Sequence, residues 1–419
     1  MLEKFEEVAG KIAAQRHLRA LRNGIVLGMP LIIIGSLFLI LGNLPFKQYM
    51  DWLADSGLNV YFSKVVNGSF GIMALIAVFG IAYQLANSYK LDGASVGAVA
   101  LSAYIIVTPN LEVEDALGIQ YKYAGSAGLF VAILVGMLTT EIFRVAVNKN
   151  WTIKMPEGVP PAVSRSFSAL IPGFLVITFF GLLYAILDQM GIHDIHVLIT
   201  DTVGRPFTAV GSSIWGSLIM IFVNSFFWFL GIHGNNIIAP IIQPIWLQNS
   251  DANRLAFEAG KALPNIITNE FVNIFVWMGG GGATLGLAIA FMFLTKSKQS
   301  KAMGQLTFPP GMFNINEPLI FGLPIVLNLK LLIPFIVVPM LNAVITYVAM
   351  ASDWVARPAG IVVPWTMPAI ISGYLATGGK ISGAVIQIIT LSIDIVIYYW
   401  FARMVDQTNL KMEAEESDI

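Results

Sequence analysis

Read for the spacing of apolar and charged positions, the chain divides into long runs free of Asp, Glu, Lys and Arg. Seven are clear, at residues 23–46, 65–89, 93–111, 123–140, 166–187, 271–295 and 331–352. Each approaches or exceeds the roughly 20 residues that a helix needs to cross the hydrocarbon of a bilayer. A further run, 206–250, is too long for one helix and must hold more than one crossing. Towards the end the pattern loosens: 357–377 is broken by Pro358, Pro364 and Pro368, and 381–403 carries Asp394. The pattern predicts an all-α polytopic membrane protein of about ten transmembrane helices.

Composition agrees and narrows the class. Of 419 residues, 56% are hydrophobic and 12% charged, with a mean hydropathy of +0.75, whereas soluble domains are roughly 25% charged. An ordinary cytosolic enzyme is excluded. The 24 basic and 25 acidic residues leave a net charge of −1, so no basic surface remains for nucleic acid. The absence of cysteine removes disulfides, thiolate metal sites and thiol nucleophiles.

Charge also orients the bundle. The segment 1–22 holds Lys4, Lys11, Arg16, Arg19 and Arg22, with Phe5, Val8 and Ile12 at helical spacing, which suits a basic amphipathic helix on the inner surface. The loop after the third span is acidic (Glu112, Glu114, Asp115), whereas that after the fourth has Arg144, Lys149, Lys154 and Arg165. Lys296, Lys298 and Lys301 mark another inside loop, so both termini are expected to be cytoplasmic. A Pro-rich connector covers 148–163. Polar residues at 188–204 suggest a boundary between an N-terminal scaffold unit, 1–190, and a C-terminal unit, 191–405, with a solvated tail at 406–419.

The chemistry concentrates in the C-terminal unit. Two apolar stretches there are interrupted by polar and helix-breaking residues. One contains Trp228, His233, Asn235 and Asn236, followed by Pro240 and Pro244; the other contains Asn314, Asn316, Glu317 and Pro318. Broken backbone at membrane depth is tolerated only where protein or a water-filled cavity supplies partners, and paired interruptions point to a transporter's binding site. His233 and Glu317 are then interior groups that meet a ligand, each other or a polar partner. Asn, His and Glu beside Trp suit a sugar, which offers many directional hydroxyls and flat ring faces.

Other candidates carry less. His193 and His196 could share a helix face near Asp194 and Asp201, but no further ligand completes a metal set, and an interfacial pair is expected. The glycines 279–282 resemble a phosphate loop only superficially, and are read as small residues for close helix contact. Asp394 and Glu141 are read as interfacial or capping groups, with a proton relay as the alternative. No cofactor or metal is expected.

At Gly231-Ile-His233-Gly and Asn314-Ile-Asn-Glu317-Pro the sequence resembles the membrane component, enzyme IIC, of bacterial phosphoenolpyruvate-dependent sugar phosphotransferase systems, in the lactose, cellobiose and diacetylchitobiose branch. The likeness extends to Val159-Pro-Pro-Ala-Val-Ser-Arg-Ser-Phe and Val363-Pro-Trp365-Thr-Met-Pro. The resemblance implies a homodimer of ten-helix protomers in the cytoplasmic membrane. Its N-terminal half would form the dimer scaffold. Its C-terminal half, with two re-entrant hairpins, would carry a β-linked disaccharide across in an elevator-like step. A separate IIB protein would then phosphorylate the sugar at its 6-hydroxyl. By matching motifs, Glu317 and His233 would lie at that hydroxyl as the catalytic pair, Asn235 and Asn236 nearby, and Trp228 and Trp365 against sugar rings. In that branch IIB carries its phosphate on a cysteine, so a chain without cysteine needs a separate phosphoryl donor.

Two other classes compete. A proton-coupled secondary sugar transporter would use Glu317 as its proton carrier. An intramembrane hydrolase fares poorly, since neither a metal triad nor a nucleophile beside a base accompanies His233.

Overall fold

The computed structural model describes residue 11 and residues 14–44, 46–113, 116–156, 158–323, 325 and 329–417. Lys4, Phe5, Val8 and Ile12 of the basic N-terminal segment, and the loop acids Glu114 and Asp115, lie outside the described residues.

The apolar runs become helices because an apolar segment in lipid can satisfy its backbone only within itself. Five long helices dominate the first half, α1 (Arg16–Leu41), α2 (Leu58–Ser88), α3 (Gly93–Val107), α4 (Leu129–Asn148) and α5 (Pro161–Gln189), with shorter helices at Lys47–Asp55 and Tyr121–Ala124. After a bent helical segment at Ile195–Gly211 come α6 (Ile214–Phe229), α7 (Asn235–Glu258), α8 (Leu285–Leu294), α9 (Lys298–Met312) and α10 (Glu317–Gly322). The last three are α11 (Leu329–Ala351), α12 (Ile371–Ala376) and α13 (Ile381–Ser417). Among the described residues six helices are long and apolar enough to cross a membrane, and a seventh span arises if Ile195–Gly211 and α6, bent by 74°, count as one. Outward faces remain apolar: Phe174, Leu182 and Ile186 of α5 are exposed, as expected of side chains that meet lipid.

α1 and α2 cross at glycines. A Cβ on Gly80 would lie 2.6 Å from the Gly24 carbonyl oxygen, and one on Gly24 would lie 2.4 Å from the Ile81 nitrogen. Only a glycine pair permits this approach, which brings backbones into van der Waals contact where apolar burial supplies no drive.

Three segments differ from the expectation. The run 93–111 stops being helical at Val107, because Pro109 disfavours helical backbone in the residue before it. An antiparallel hairpin follows, β1 (Asn110–Val113) and β2 (Ala116–Ile119), with Leu111 opposite Gly118. The run 271–295 is not one span. It opens as a π-helical turn at Phe271–Val276, breaks through the glycines 279–282, and resumes as α8. The region 357–377 is mostly irregular and yields only the short α12. At the other end α13 continues through the expected tail to Ser417, and Asp406 accepts the backbone N–H groups of Lys296 and Ser297 at 3.0 and 2.9 Å.

The secondary candidates also find their places. His193 bonds Asp188 at 2.6 Å on the exposed surface. His196 is buried, stacked on Tyr123 with ring centroids 4.0 Å apart and 3.0 Å from the Thr108 hydroxyl. They form no pair: Asp194 caps the start of Ile195–Ile199 through the His196 and Val197 N–H groups, leaving His193 outside the helix. Asp201 pairs with Arg205 at 3.1 Å. Glu141 joins α4 to α1 and α2, accepting from Tyr89 at 2.7 Å and lying 3.0 Å from His17. Asp394 is not interfacial. It is fully buried and accepts from the Asn342 amide at 3.0 Å, so its carboxylate belongs to the contact between α11 and α13.

Candidate functional site

The two interruptions meet. Between α6 and α7 the chain turns at Gly231 (φ +78°), and the turn carries His233 onto Trp228, with ring centroids 4.3 Å apart. Before α10, Asn314 adopts φ +62° and Glu317 stands in the first helical turn. A carboxylate is electrostatically favoured there by the unpaired N–H groups. Between them lies a cavity of about 390 Å³ lined by Trp228, His233, Asn235, Asn314, Asn316, Glu317 and Trp365. Asn236, on the same turn as Asn235, is not among the lining residues.

The glycine segment 279–282 joins the two interruptions. Gly279, Gly280 and Gly282 have φ of +83°, +90° and +82°, a region open to glycine at no steric cost. Asn314 accepts the Gly279 N–H at 2.6 Å and donates to the Trp365 and Met367 carbonyls. Asn316 donates to the Gly281 carbonyl at 2.7 Å and the Thr284 hydroxyl at 2.9 Å. Asn314 and Asn316 thus line the cavity while their amides hold the glycine segment and the Trp365 loop in place. Gly280 and Gly281 form part of the cavity wall, and a Cβ on Gly281 would come within 2.8 Å of the Trp228 indole nitrogen, whereas Gly282 makes the expected close helix contact, its Cβ position 2.3 Å from the Phe335 ring of α11.

His233 and Glu317 both open onto the cavity. A neutral imidazole there can donate from one nitrogen and accept at the other. Trp365 is 56% exposed and Trp228 nearly buried, so the cavity has one fixed and one accessible indole face.

Several lining residues escape sequence reasoning. Asn224, Gln243, Asn269, Glu270, Asn273 and Trp277 supply polar groups, and Arg22, Val26, Met29 and Ile33 of α1 close one side. The last four lie in the first half of the chain, so the cavity is built by both halves. A periodic signal existed for α7, where Asn235, Ala239 and Gln243 recur at four-residue spacing on one face.

The wall of the cavity thus holds several amides, two carboxylates and three indoles. Residues 22–339 match the family model described as "Phosphotransferase system, EIIC". The chain belongs to this family. It is 47% identical over 430 residues to the lichenan permease IIC component of Bacillus subtilis (strain 168), covering 100% of this chain and 94% of that one. The cellobiose-specific EIIC component of Geobacillus stearothermophilus is 44% identical over 434 residues, covering 100% of this chain and 96% of that one. Among solved structures, ChbC, the IIC component from the N,N'-diacetylchitobiose-specific phosphotransferase system, superposes with a TM-score of 0.93 at 43% identity, covering 97% of this chain and 98% of that one. This chain is accordingly a multi-pass membrane EIIC protein.

Proposed function

We propose that the chain is the sugar permease of a phosphotransferase system, binding a β-linked disaccharide of the cellobiose or diacetylchitobiose type in the cytoplasmic membrane of a bacterium. The observation that carries the reading is the convergence of His233, Glu317, Trp228 and Trp365 on one cavity whose remaining polar wall is mostly amide. Indole faces cover the apolar faces of pyranose rings, and the amides and carboxylates pair with hydroxyls. The relatives' names, lichenan, cellobiose and diacetylchitobiose, favour β-linked glucose or N-acetylglucosamine units.

On this reading Glu317 accepts a hydrogen bond from the 6-hydroxyl and takes its proton as that oxygen attacks the phosphorus carried by a separate IIB protein, the S–P bond breaking and the IIB cysteine leaving as thiolate. His233 donates to the same oxygen or to the phosphoryl group. Because phosphoryl transfer depends chiefly on positioning and charge stabilisation, these two groups suffice for the permease side of the reaction. The protein works as a homodimer of ten-span protomers with both termini cytoplasmic. Residues 1–190 form the scaffold, and 191–405, with two re-entrant hairpins, carry the sugar in an elevator-like movement.

Calorimetry of the purified protein with cellobiose, diacetylchitobiose and lactose tests the substrate class, and binding of none of them overturns it. For the chemistry, Glu317→Gln should retain binding within about tenfold while phosphorylation by phospho-IIB falls by about 10²–10⁴-fold. Full phosphorylation by this variant would remove the proton-acceptor role. Uptake into vesicles driven by an imposed pH gradient without IIB would instead favour a proton-coupled transporter.

A further inference from the structure

Among the described residues Arg22 is the one Lys or Arg that lines the cavity, and it stands on α1, outside both sequence motifs. It is half-buried, and its Nε donates to the Asn23 side chain at 3.0 Å. Among the described residues no carboxylate pairs with it. The nearest helical neighbours do not offset its charge. Arg16 and Arg19 add to it, and the one acid joined to this end of α1, Glu141, is occupied by Tyr89, His17 and Arg144. A guanidinium with its two terminal nitrogens uncommitted on a cavity wall suits an anionic ligand.

Helix packing places Arg22 at the reactive end of the cavity. The beginning of α1 packs on α7. Further along, Gly35 of α1 meets the Phe70 ring, and the same ring lies 4.8 Å under the Arg254 guanidinium of α7. From that point Arg22 is about 20 Å back along α1 and Asn235 about 28 Å back along α7, at 1.5 Å per residue. The starts of the two helices therefore share one end, with Arg22 on the first and Asn235, two residues after His233, on the second. Arg22 is also within electrostatic reach of the His233 ring. With the orientation proposed above, this end faces the cytoplasm, from which the phosphoryl group arrives.

The chemistry there lacks a cation. As the 6-oxygen attacks phosphorus, its proton passes to Glu317, the O–P bond forms, and the S–P bond to the IIB cysteine breaks to leave a thiolate. Throughout this step the phosphoryl oxygens carry negative charge beside the Glu317 carboxylate. A guanidinium offers two parallel N–H donors that match phosphoryl oxygens, which an ammonium does not. Donors fixed in advance where the charge sits stabilise the transition state without reorganising during the reaction.

We propose that Arg22 is the phosphoryl-binding residue of the cavity, its guanidinium holding the oxygens of the phosphoryl group as it passes from IIB to the sugar. The proposal rests on the permease reading and deepens it. Arg22 belongs to 1–190, whereas His233 and Glu317 belong to 191–405, so the reacting set is complete only with the two halves placed as they are here. A sugar carried to the other limit of an elevator-like movement leaves Arg22 behind, which ties phosphorylation to arrival at the inner face.

Two measurements on the purified full chain test the assignment: calorimetry with cellobiose and with 6-phosphorylated cellobiose, and phosphorylation of cellobiose by phospho-IIB. Arg22→Gln should bind cellobiose within about threefold of wild type and 6-phosphorylated cellobiose about tenfold more weakly, as for loss of a charge-assisted hydrogen bond. Its kcat for phosphorylation should fall by about 10²–10³-fold, as when a transition-state donor is removed. Arg22→Lys, which keeps the charge and loses the planar fork, should fall between the two on both counts, and it carries the test if the Gln variant does not fold. Wild-type phosphorylation by Arg22→Gln, or equal losses of affinity for cellobiose and its phosphate, would overturn the proposal, since a brace for α1 would not discriminate between the two sugars. A wild-type chain that takes no phosphoryl group from phospho-IIB onto any disaccharide it binds would overturn the permease reading with it.

Discussion

At the residue scale, the two cavity carboxylates occupy opposite environments. Glu317 begins a helix and opens onto the cavity, whereas Glu270 is buried and its pKa is pushed up to about 6, chiefly by desolvation, with the Ser250 bond resisting. The ordinary value is 4.5. Between pH 4.5 and 6 the folded protein therefore holds more of this proton than the unfolded chain, so Glu270 makes stability fall as pH rises through that window. Above pH 6 the whole cost is present, about 2 kcal/mol at 1.36 kcal/mol per unit. Glu270→Gln should accordingly melt higher than wild type at pH 7.5 in the absence of sugar, with the gap closing as pH falls to 5. A gap independent of pH would mean that Glu270 does not titrate in this range. The sequence made the first pair visible, because His233 and Glu317 stand among apolar residues with asparagines beside them. Glu270 was invisible for the opposite reason: it sits at the edge of a charge-free run, where an acid reads as a loop residue.

At the element scale, the chain's helices follow its charge-free runs except where backbone conformation, rather than side-chain polarity, decides. Hydropathy sees 271–295 as one apolar segment, yet three glycines with positive φ turn it into a wall of the site. The run also looked uniform because glycine contributes no charge. Asn314 and Asn316 line the cavity as expected, and their amides also bond the glycine segment and the Trp365 loop. Two substitutions separate the consequences. Gly280→Ala meets a φ of +90° and places Cβ 2.8 Å from the Asn314 carbonyl oxygen. It should destabilise the protein by about 1–3 kcal/mol, visible as a lower melting temperature. Gly281→Ala has ordinary backbone and meets the Trp228 indole instead, at 2.8 Å, so it should move the ring into the cavity and weaken sugar binding with a smaller change in melting temperature. Equal effects of the two on stability and binding would show that the segment acts only as a rigid linker.

At the scale of the whole molecule, the cavity joins two halves that also meet at polar contacts away from it, Thr108 with His196 among them. Ser36 of α1 accepts the Val362 N–H at 2.9 Å, Ser126 bonds Asp251 of α7, and Arg254 lies 4.8 Å over the Phe70 ring of α2 while paired with Asp251 at 2.7 Å. If 191–405 moves as a carrier against 1–190, these contacts must part in each cycle while the bonds among Glu270, Ser250, Asn316 and the glycine segment persist, because all of those lie in the moving half. The lack of native cysteine makes this directly testable. With cysteines at Ser36 and Val362 joined by a bifunctional thiol reagent, disaccharide binding should remain within about threefold of the unlinked variant, under 1 kcal/mol, since neither side chain lines the cavity. Sugar uptake coupled to phosphorylation should stop and return when the link is cleaved. Full uptake with the link intact would require the carrier boundary to lie elsewhere, with Val362 and the loop it belongs to fixed to the scaffold and the sugar moved by a smaller part of the chain.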